Sequence, residues 1–390
     1  MIHDVVIIGA GPAGLCLARA LSGHGLSVVL LERQAEQELA EPAFDGREIA
    51  LTHASQALLE RLGLWQRIPA EDVAVLRDAQ VLNGPSLFAL QIRAEQAGAE
   101  RLGHLLANQE IRRAAFAAVT ECADVQLRCA VSVRAIRRHP REVQLELASG
   151  ESLRTRLLVA ADSRFSETRR QLGIGARLKD FGKTMLVCRM GHEQPHRQTA
   201  WEWFGYGQTL ALLPLNGNQS SVVLTLPPRD IERLRELDEE SFARETERRF
   251  DRRLGAMQLV STRHAYPLVG AYAERLVGPR CALIGDAAVG MHPVTAHGFN
   301  FGLGGVQRLS AGVLAAKARG EDIAAPALLS RYERQHRLAT WPLYQATNLL
   351  VDVYTNDRLP VKLLRGVGLR VAQGVLPLKK GIARHLTAAG

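Results

Sequence analysis

The chain has 390 residues, 47% of them hydrophobic and 5% aromatic, and carries 49 basic against 40 acidic side chains for a net charge of +9. That length and apolar content give material for two or three packed domains and exclude a disordered chain. The charge first suggests nucleic acid or a membrane, but four Arg and three Lys with no acid fall between Arg358 and Gly390, leaving the remainder at +2.

A groove that tracks a phosphate backbone needs positive charge spread over a folded face, and base stacking needs aromatic platforms, so no nucleic-acid partner is expected. The five cysteines, Cys16, Cys122, Cys129, Cys188 and Cys281, are odd in number and form no CxxC pair. A disulfide framework, a zinc ribbon and a thioredoxin-type motif are therefore not expected, and neither is a metal site. A reducing cytoplasm is the natural compartment. The N-terminus has no basic n-region and begins a strand almost at once, so no signal peptide is expected. The span from Ala287 to Gln307 lacks charge but holds five glycines and a proline, which suits a glycine-rich loop and not a lipid-facing helix.

Val5-Val6-Ile7-Ile8 is a continuous apolar run, as in a strand buried on both faces of a parallel sheet. It enters Gly9-Ala10-Gly11-Pro12-Ala13-Gly14, a full G-x-G-x-x-G, and then a helical stretch from Leu15 to Leu21. Ser27 to Leu31 supplies a second strand that ends at Glu32. In this arrangement Gly9 permits a tight turn, Gly11 lets a pyrophosphate approach the backbone, and Gly14 lets helix and strand pack closely. The helix N-terminus offers N–H groups to phosphate, and Glu32 can accept from a ribose. The pattern reads as dinucleotide binding, with FAD and NAD both open.

Thr209–Leu213 and Val222–Leu226 read as a hairpin across Asn216-Gly217, in the sheet of a second domain. From Arg229 to Phe250, Glu and Arg at i,i+3 and i,i+4 spacing predict one long solvated helix. Trp201-Glu202-Trp203 places two tryptophans on one face of a strand, where they would form a wall of the substrate sheet or simply pack. Far downstream, Cys281–Ile284 is a short strand before Gly285-Asp286-Ala287-Ala288. Met291-His292-Pro293 and Gly298-Phe299-Asn300-Phe301-Gly302 follow, then a helix from Val306 to Ala318. An acid at a strand end, followed by a loop that feeds a helix N-terminus, suits a flavin: Asp286 for ribityl hydroxyls, the helix end for charge on the reduced ring.

The pairing of GxGxxG and Glu32 with the late GDAA…HP…GFN resembles the single-component flavin-dependent aromatic hydroxylases, the class A flavoprotein monooxygenases. Within them it is most similar to the ubiquinone-biosynthesis hydroxylases of the UbiH type, and the Thr295–Asn300 variant resembles the UbiM branch. Asp45-Gly46-Arg47, Leu62–Trp65, Asn108, Leu213-Pro214-Leu215, Thr347-Asn348 and Leu376-Pro377-Leu378 extend the match nearly end to end. The resemblance implies an α/β fold. A Rossmann-like FAD-binding domain of the glutathione-reductase type would span residues 1–75, 101–180 and 265–342. An α+β substrate domain would span 76–100 and 181–264, with a basic helical extension over 343–390.

By the same resemblance FAD would contact Gly9, Gly11, Pro12, Ala13, Gly14, Glu32, Arg33, Arg47, Asn108, Arg112, Asp162, Asp286, Pro293, Gly298, Phe299 and Asn300. NAD(P)H would donate electrons, and a flavin C4a-hydroperoxide formed with O2 would hydroxylate the ring of a polyprenylated phenol or quinol, such as demethoxyubiquinol. Ser163 replaces a family glycine near Asp162, and Val289, Ala296, His297 and Gly304-Gly305 also depart from the pattern. His297 either tunes the ionisation at the flavin edge or is a structural loop histidine. Competing readings are a flavoprotein reductase of isoprenoid chains and a flavin-bound scaffold of the biosynthetic complex without chemistry of its own. The W-x-W pair invites comparison with flavin halogenases, but their following Ile-Pro is here Phe204-Gly205.

In the basic tail Leu364, Val367, Val371 and Val375 recur at helical spacing, with Lys362 and Arg365 opposite. Such a face would lie on an anionic membrane, peripheral to the inner membrane, or pack on the body or on partner proteins of ubiquinone biosynthesis. Deletion of residues 358–390 is expected to abolish co-sedimentation with anionic liposomes; unchanged binding rejects the membrane role.

Overall fold

A computed structural model describes residues 1–84, 89–205, 207–292 and 297–355. The strand Ile2–Ile8 lies between two parallel neighbours, Val28–Leu31 and Ser152–Ala160, so Val5, Val6 and Ile7 are wholly buried. Val125–Arg128 extends this sheet beyond Val28–Leu31, and Cys281–Leu283 runs parallel to Ser152–Ala160 on the other side. An antiparallel pair, Val133–Arg138 and Val143–Leu147, completes eight strands with the short Val277–Gly278. Helices Pro12–Leu21 and Gly298–Ala318 pack together over the sheet, and the long helix Pro326–Thr355 packs on the second of them.

Register brings the chemistry to one edge. Ile8 pairs with Leu31 and with Ala160, and Ala160 pairs with Leu283, so the turns beginning at Gly9, Glu32, Ala161 and Ile284 all leave at the same strand ends. This is where a doubly wound sheet binds its ligands.

A nine-stranded sheet forms the second body. Its order runs from Val289–Gly290 and His264–Ala273 through Ala176–His192, Gln219–Leu226, Thr209–Pro214 and Thr199–Phe204 to Asp78–Asn83 and Ala89–Arg93. Met257–Leu259 pairs with the far end of Ala176–His192. The Thr209–Pro214 and Gln219–Leu226 hairpin pairs as expected, with Gly217 at φ +65° in the turn. Ala176–His192 and His264–Ala273 run across the sequence positions 180 and 264, so the sheet passes between the two bodies without a linker there. A three-stranded sheet of Glu48–Leu51, Gly103–Ala107 and Ala74–Leu76 fills the space between them. The side chain of Glu48, 1% exposed, pairs with Arg189 of the large sheet at 2.7 Å.

Two expectations are corrected. The helix predicted from Arg229 to Phe250 is two helices, Pro228–Glu236 and Glu239–Arg249, because the Asp238 side chain accepts from the Ser241 N–H at 2.8 Å and starts a new helix. Their charged faces carry the predicted pairs, such as Arg235–Glu232 and Arg248–Glu245, while Ile231, Leu234 and Phe242 are buried against the large sheet. Next, the helix expected from Val306 begins at Gly298, so Gly298-Phe299-Asn300 is its first turn. Its closest glycine contact with the long helix is at Gly305, where a Cβ would lie 3.2 Å from the His336 ring. Trp201 and Trp203 share a face as expected, with Trp203 in the core that the large sheet forms with the two helices and Trp201 packed against it. Pro293 and the basic tail from Arg358 lie outside the described residues, and among those described no helix is long and apolar enough to cross a membrane.

Replacing Asp238 by Ala removes an N-cap and is expected to lower the denaturant midpoint of unfolding, with Asp238→Asn retaining most of the wild-type value.

Candidate active site

The glycine turn is built by close approach. Gly9 has φ +106°, and a Cβ on it would lie 2.6 Å from the Ala161 carbonyl oxygen. A Cβ on Gly14 would lie 1.9 Å from the Gly9 carbonyl oxygen. Gly11, by contrast, has nothing within 4 Å of its Cβ position, so space opens beside it. Gly11 caps the helix Pro12–Leu21 with no side-chain hydrogen bond, Pro12 sets the first turn, and no acid lies in that turn. The first-turn N–H groups have no intrahelical carbonyl and face a positive dipole end.

Glu32 is fixed next to this turn. One carboxylate oxygen accepts from Ala10 N–H at 2.7 Å, and the other from Arg33 N–H at 2.8 Å and Gln34 N–H at 3.0 Å. A carboxylate has about four acceptor sites, so one remains for a ribose hydroxyl. The Arg33 side chain is exposed, and Arg112 reaches the Gln34 side chain at 3.5 Å.

Asp45, Arg47 and Asn108 form one cluster. Arg47 binds the Asp45 carboxylate at 2.5 Å, Asn108 donates to the same oxygen at 2.8 Å, and Tyr266 donates to the Asp45 carbonyl at 2.8 Å. Burial alone would raise the Asp45 carboxyl, but the Arg47 and Asn108 contacts outweigh it and hold the group below its ordinary value. The Arg47 guanidinium lies 5.7 Å from the centre of the Tyr266 ring. Gly46, at φ +74°, presses this segment onto the large sheet, where a Cβ would meet Val187 at 2.7 Å and His264 at 3.1 Å.

Asp286 follows Gly285, whose φ of +59° and close approach to Ala13 (a Cβ would lie 3.0 Å from the Ala13 Cβ) seat the late motif on the first turn. Arg164, which carried no signal in the sequence, pairs with Asp286 at 3.3 Å and with the Val269 carbonyl at 2.8 Å. Asp162 turns its carboxylate to the helix Glu167–Gln171, accepting from the Ser166 hydroxyl at 2.5 Å and Thr168 N–H at 2.9 Å. Ser163 has φ +80°, the conformation its family glycine would adopt easily.

Asn300 holds the late helix to the interdomain strands: it accepts from Thr52 N–H at 3.0 Å and donates to the Ala50 carbonyl at 2.8 Å. Its amide therefore positions the helix end, and its backbone and those of Gly298 and Phe299 form the first turn. His297 is buried, with its ring 5.9 Å from Phe301. His292 is buried edge-on to Phe181 at 4.7 Å, and burial, with Arg164 and Lys179, pushes it down to about 4. Among the described residues no group of His, Cys, Asp and Glu could hold a metal. An open cavity of about 460 Å³ beside Arg77, His196 and Asn216 shares no residue with this site.

The residues fit FAD. The open space at Gly11 and the uncapped helix end suit a pyrophosphate, Glu32 keeps a ribose acceptor, and Asp286 and Arg47 stand where the cradle meets the large sheet.

The family described as "FAD binding domain" matches residues 3–347. The ubiquinone hydroxylase UbiM of Neisseria meningitidis is 46% identical over 388 residues, covering 98% of this chain and 84% of that protein. The ubiquinone hydroxylase UbiL of Rhodospirillum rubrum is 37% identical over 385 residues, covering 98% and 89%. In fold the chain is similar to p-nitrophenol 4-monooxygenase PnpA from Pseudomonas putida, with a TM-score of 0.79 at 19% identity over 98% of this chain and 97% of that one.

Two substitutions test the cradle. Gly11→Ala is expected to fold normally yet bind FAD at least ~10-fold more weakly, about 1.4 kcal/mol, because its methyl occupies the open space. Ser163→Gly is expected to raise stability by ~0.5–1 kcal/mol in thermal unfolding, since relief of the left-handed conformation exceeds the added chain entropy.

Proposed function

Since the chain belongs to the FAD-binding domain family and is an FAD-dependent oxidoreductase of the aromatic monooxygenase kind, we propose that it hydroxylates the ring of a polyprenylated phenol or quinol in ubiquinone biosynthesis. The observation that carries this reading is the meeting of Gly9, Glu32 and Asp286 at one strand edge, with Arg47 bridging to the second sheet. FAD, when bound, supplies the two-electron chemistry and the activation of O2. Gly11 and the helix end would hold the pyrophosphate, and Glu32 and Asp286 would orient the cofactor through its hydroxyls.

Demethoxyubiquinol is the specific substrate we propose, with NAD(P)H as electron donor. Ser163 retains the turn of the glycine it replaces, so that departure leaves the backbone path intact. The cytoplasmic face of the inner membrane is the proposed location, reached through the basic tail.

The test is purified FAD-loaded protein with NADH or NADPH and a demethoxyubiquinol analogue carrying one isoprene unit. O2 consumption equal to hydroxylated product is expected. Reduction of the isoprene double bond without O2 uptake would show a reductase. A flavin that no donor reduces would show a scaffold. His297→Gln is expected to change the rate and its pH profile; an unchanged profile leaves His297 a packing residue.

A further inference from the structure

The large sheet has two unlike faces. Trp201, Trp203, Leu210, Leu212, Val222, Leu224 and Leu186 fill the side that meets the two charged helices. The other side meets the cofactor-binding body, with Gly46 seated on Val187 and His264. Strand alternation puts Glu202 on that second side. Register then aligns it with Val81, Ala211, Val223, Val187 and His264 in one row across the sheet.

Along this side Val81, Glu202, Val223, Met185 and Tyr266 keep partial exposure although they sit in inner strands of the sheet. Farther along the same side Ala79, Ala200 and Leu213 pack on the three-stranded sheet, and Glu202 sits half-buried where that packing loosens. Within that row Glu202 is the one carboxyl group, set among Val81, Ala211, Val223 and Val187 with His264 at the far end, and an apolar surface with a single polar group suits a small molecule's ring. No hydrogen bond or ion pair to a described residue engages Glu202. A fold gains nothing from an unpaired carboxyl in such a place, since desolvation without a partner costs free energy.

Resting on the function proposed above, we propose that Glu202 holds a ring hydroxyl of the quinol or phenol and, when ionised, takes its proton as the ring is hydroxylated. The substrate O–H bond breaks, an O–H bond forms on the carboxylate, and the electron pair stays on the ring oxygen. That charge enters the ring and makes the carbons ortho and para to it better nucleophiles. The proton leaves to solvent once product departs.

Burial alone raises the Glu202 carboxyl to about 8, which brings it closer to a phenol's own range and makes its ionised form a stronger base. The charged and titratable groups on the same side are His264, Tyr266, the Arg189–Glu48 pair and the Arg47–Asp45 pair. None of them contributes to the displacement of Glu202.

The experiment compares wild type with Glu202→Gln and Glu202→Asp, each checked for full FAD content, on the one-isoprene demethoxyubiquinol analogue and a ring-fluorinated version. Wild type is expected to speed up between pH 7 and 9, as the carboxyl ionises. E202Q is expected to lose that limb and ~10²-fold in hydroxylation rate, diverting O2 to hydrogen peroxide. It should recover at least ~10-fold on the fluorinated quinol, whose hydroxyl ionises more readily. E202D should lie between. E202Q with a rate and coupling within twofold of wild type, or an equal deficit on both analogues, overturns the role of Glu202 while leaving the hydroxylase reading intact. A wild type that hydroxylates neither analogue overturns both.

Discussion

The contact on which the site depends is the approach of Gly14 to the Gly9 carbonyl, where a Cβ would come within 1.9 Å of the oxygen. Only two glycines let the helix Pro12–Leu21 start so close to the strand it follows. That closeness points the helix end at the edge where Glu32 and Ile284 also emerge, and Gly285 then fits against Ala13. Three segments far apart in sequence thus share one cradle because hydrogen-bond register aligns their strands and because side chains are missing where they meet. The buried apolar strands supply the stability, at about 1.5–3 kcal/mol for each wholly buried Val, Ile or Leu.

The second sheet divides its labour by alternation. Trp203, fixed by its ring N–H to the Gly84 carbonyl at 2.8 Å, belongs to the hydrophobic core under the helices. Its neighbour Glu202 lies on the opposite face, toward the cofactor-binding body. A strand of period two can carry structural and chemical residues in adjacent positions without compromise, which is why a conspicuous W-x-W pair was the less informative part of that tripeptide.

Much of the fold was legible because it obeys simple periods. The strand-turn-helix around Gly9–Gly14, the strand ending at Glu32 and the Asn216-Gly217 hairpin all follow from local pattern. The helix break at Asp238 was not read, because Glu and Arg continue the helical spacing on both sides of a capping residue. The start of the late helix at Gly298 was hidden because glycines normally mark loops, and here Gly298, Gly302, Gly304 and Gly305 all lie within a helix. Arg164 and the interdomain Arg189–Glu48 pair depend on contacts across more than a hundred residues, which no local pattern encodes.

The strands Ala176–His192 and His264–Ala273 pair with each other on both sides of an irregularity between Asp180 and Thr184, and they run directly from the large sheet into the neighbouring body. Lys179 of the first strand is tied to Asp352 of the long helix at 2.6 Å. A clamshell rotation would have to shear this ladder, so the body has no natural hinge there. Admission of a substrate then falls to side chains and loops at the rim, whose movements run on nanosecond to microsecond scales and not on those of domain rotation.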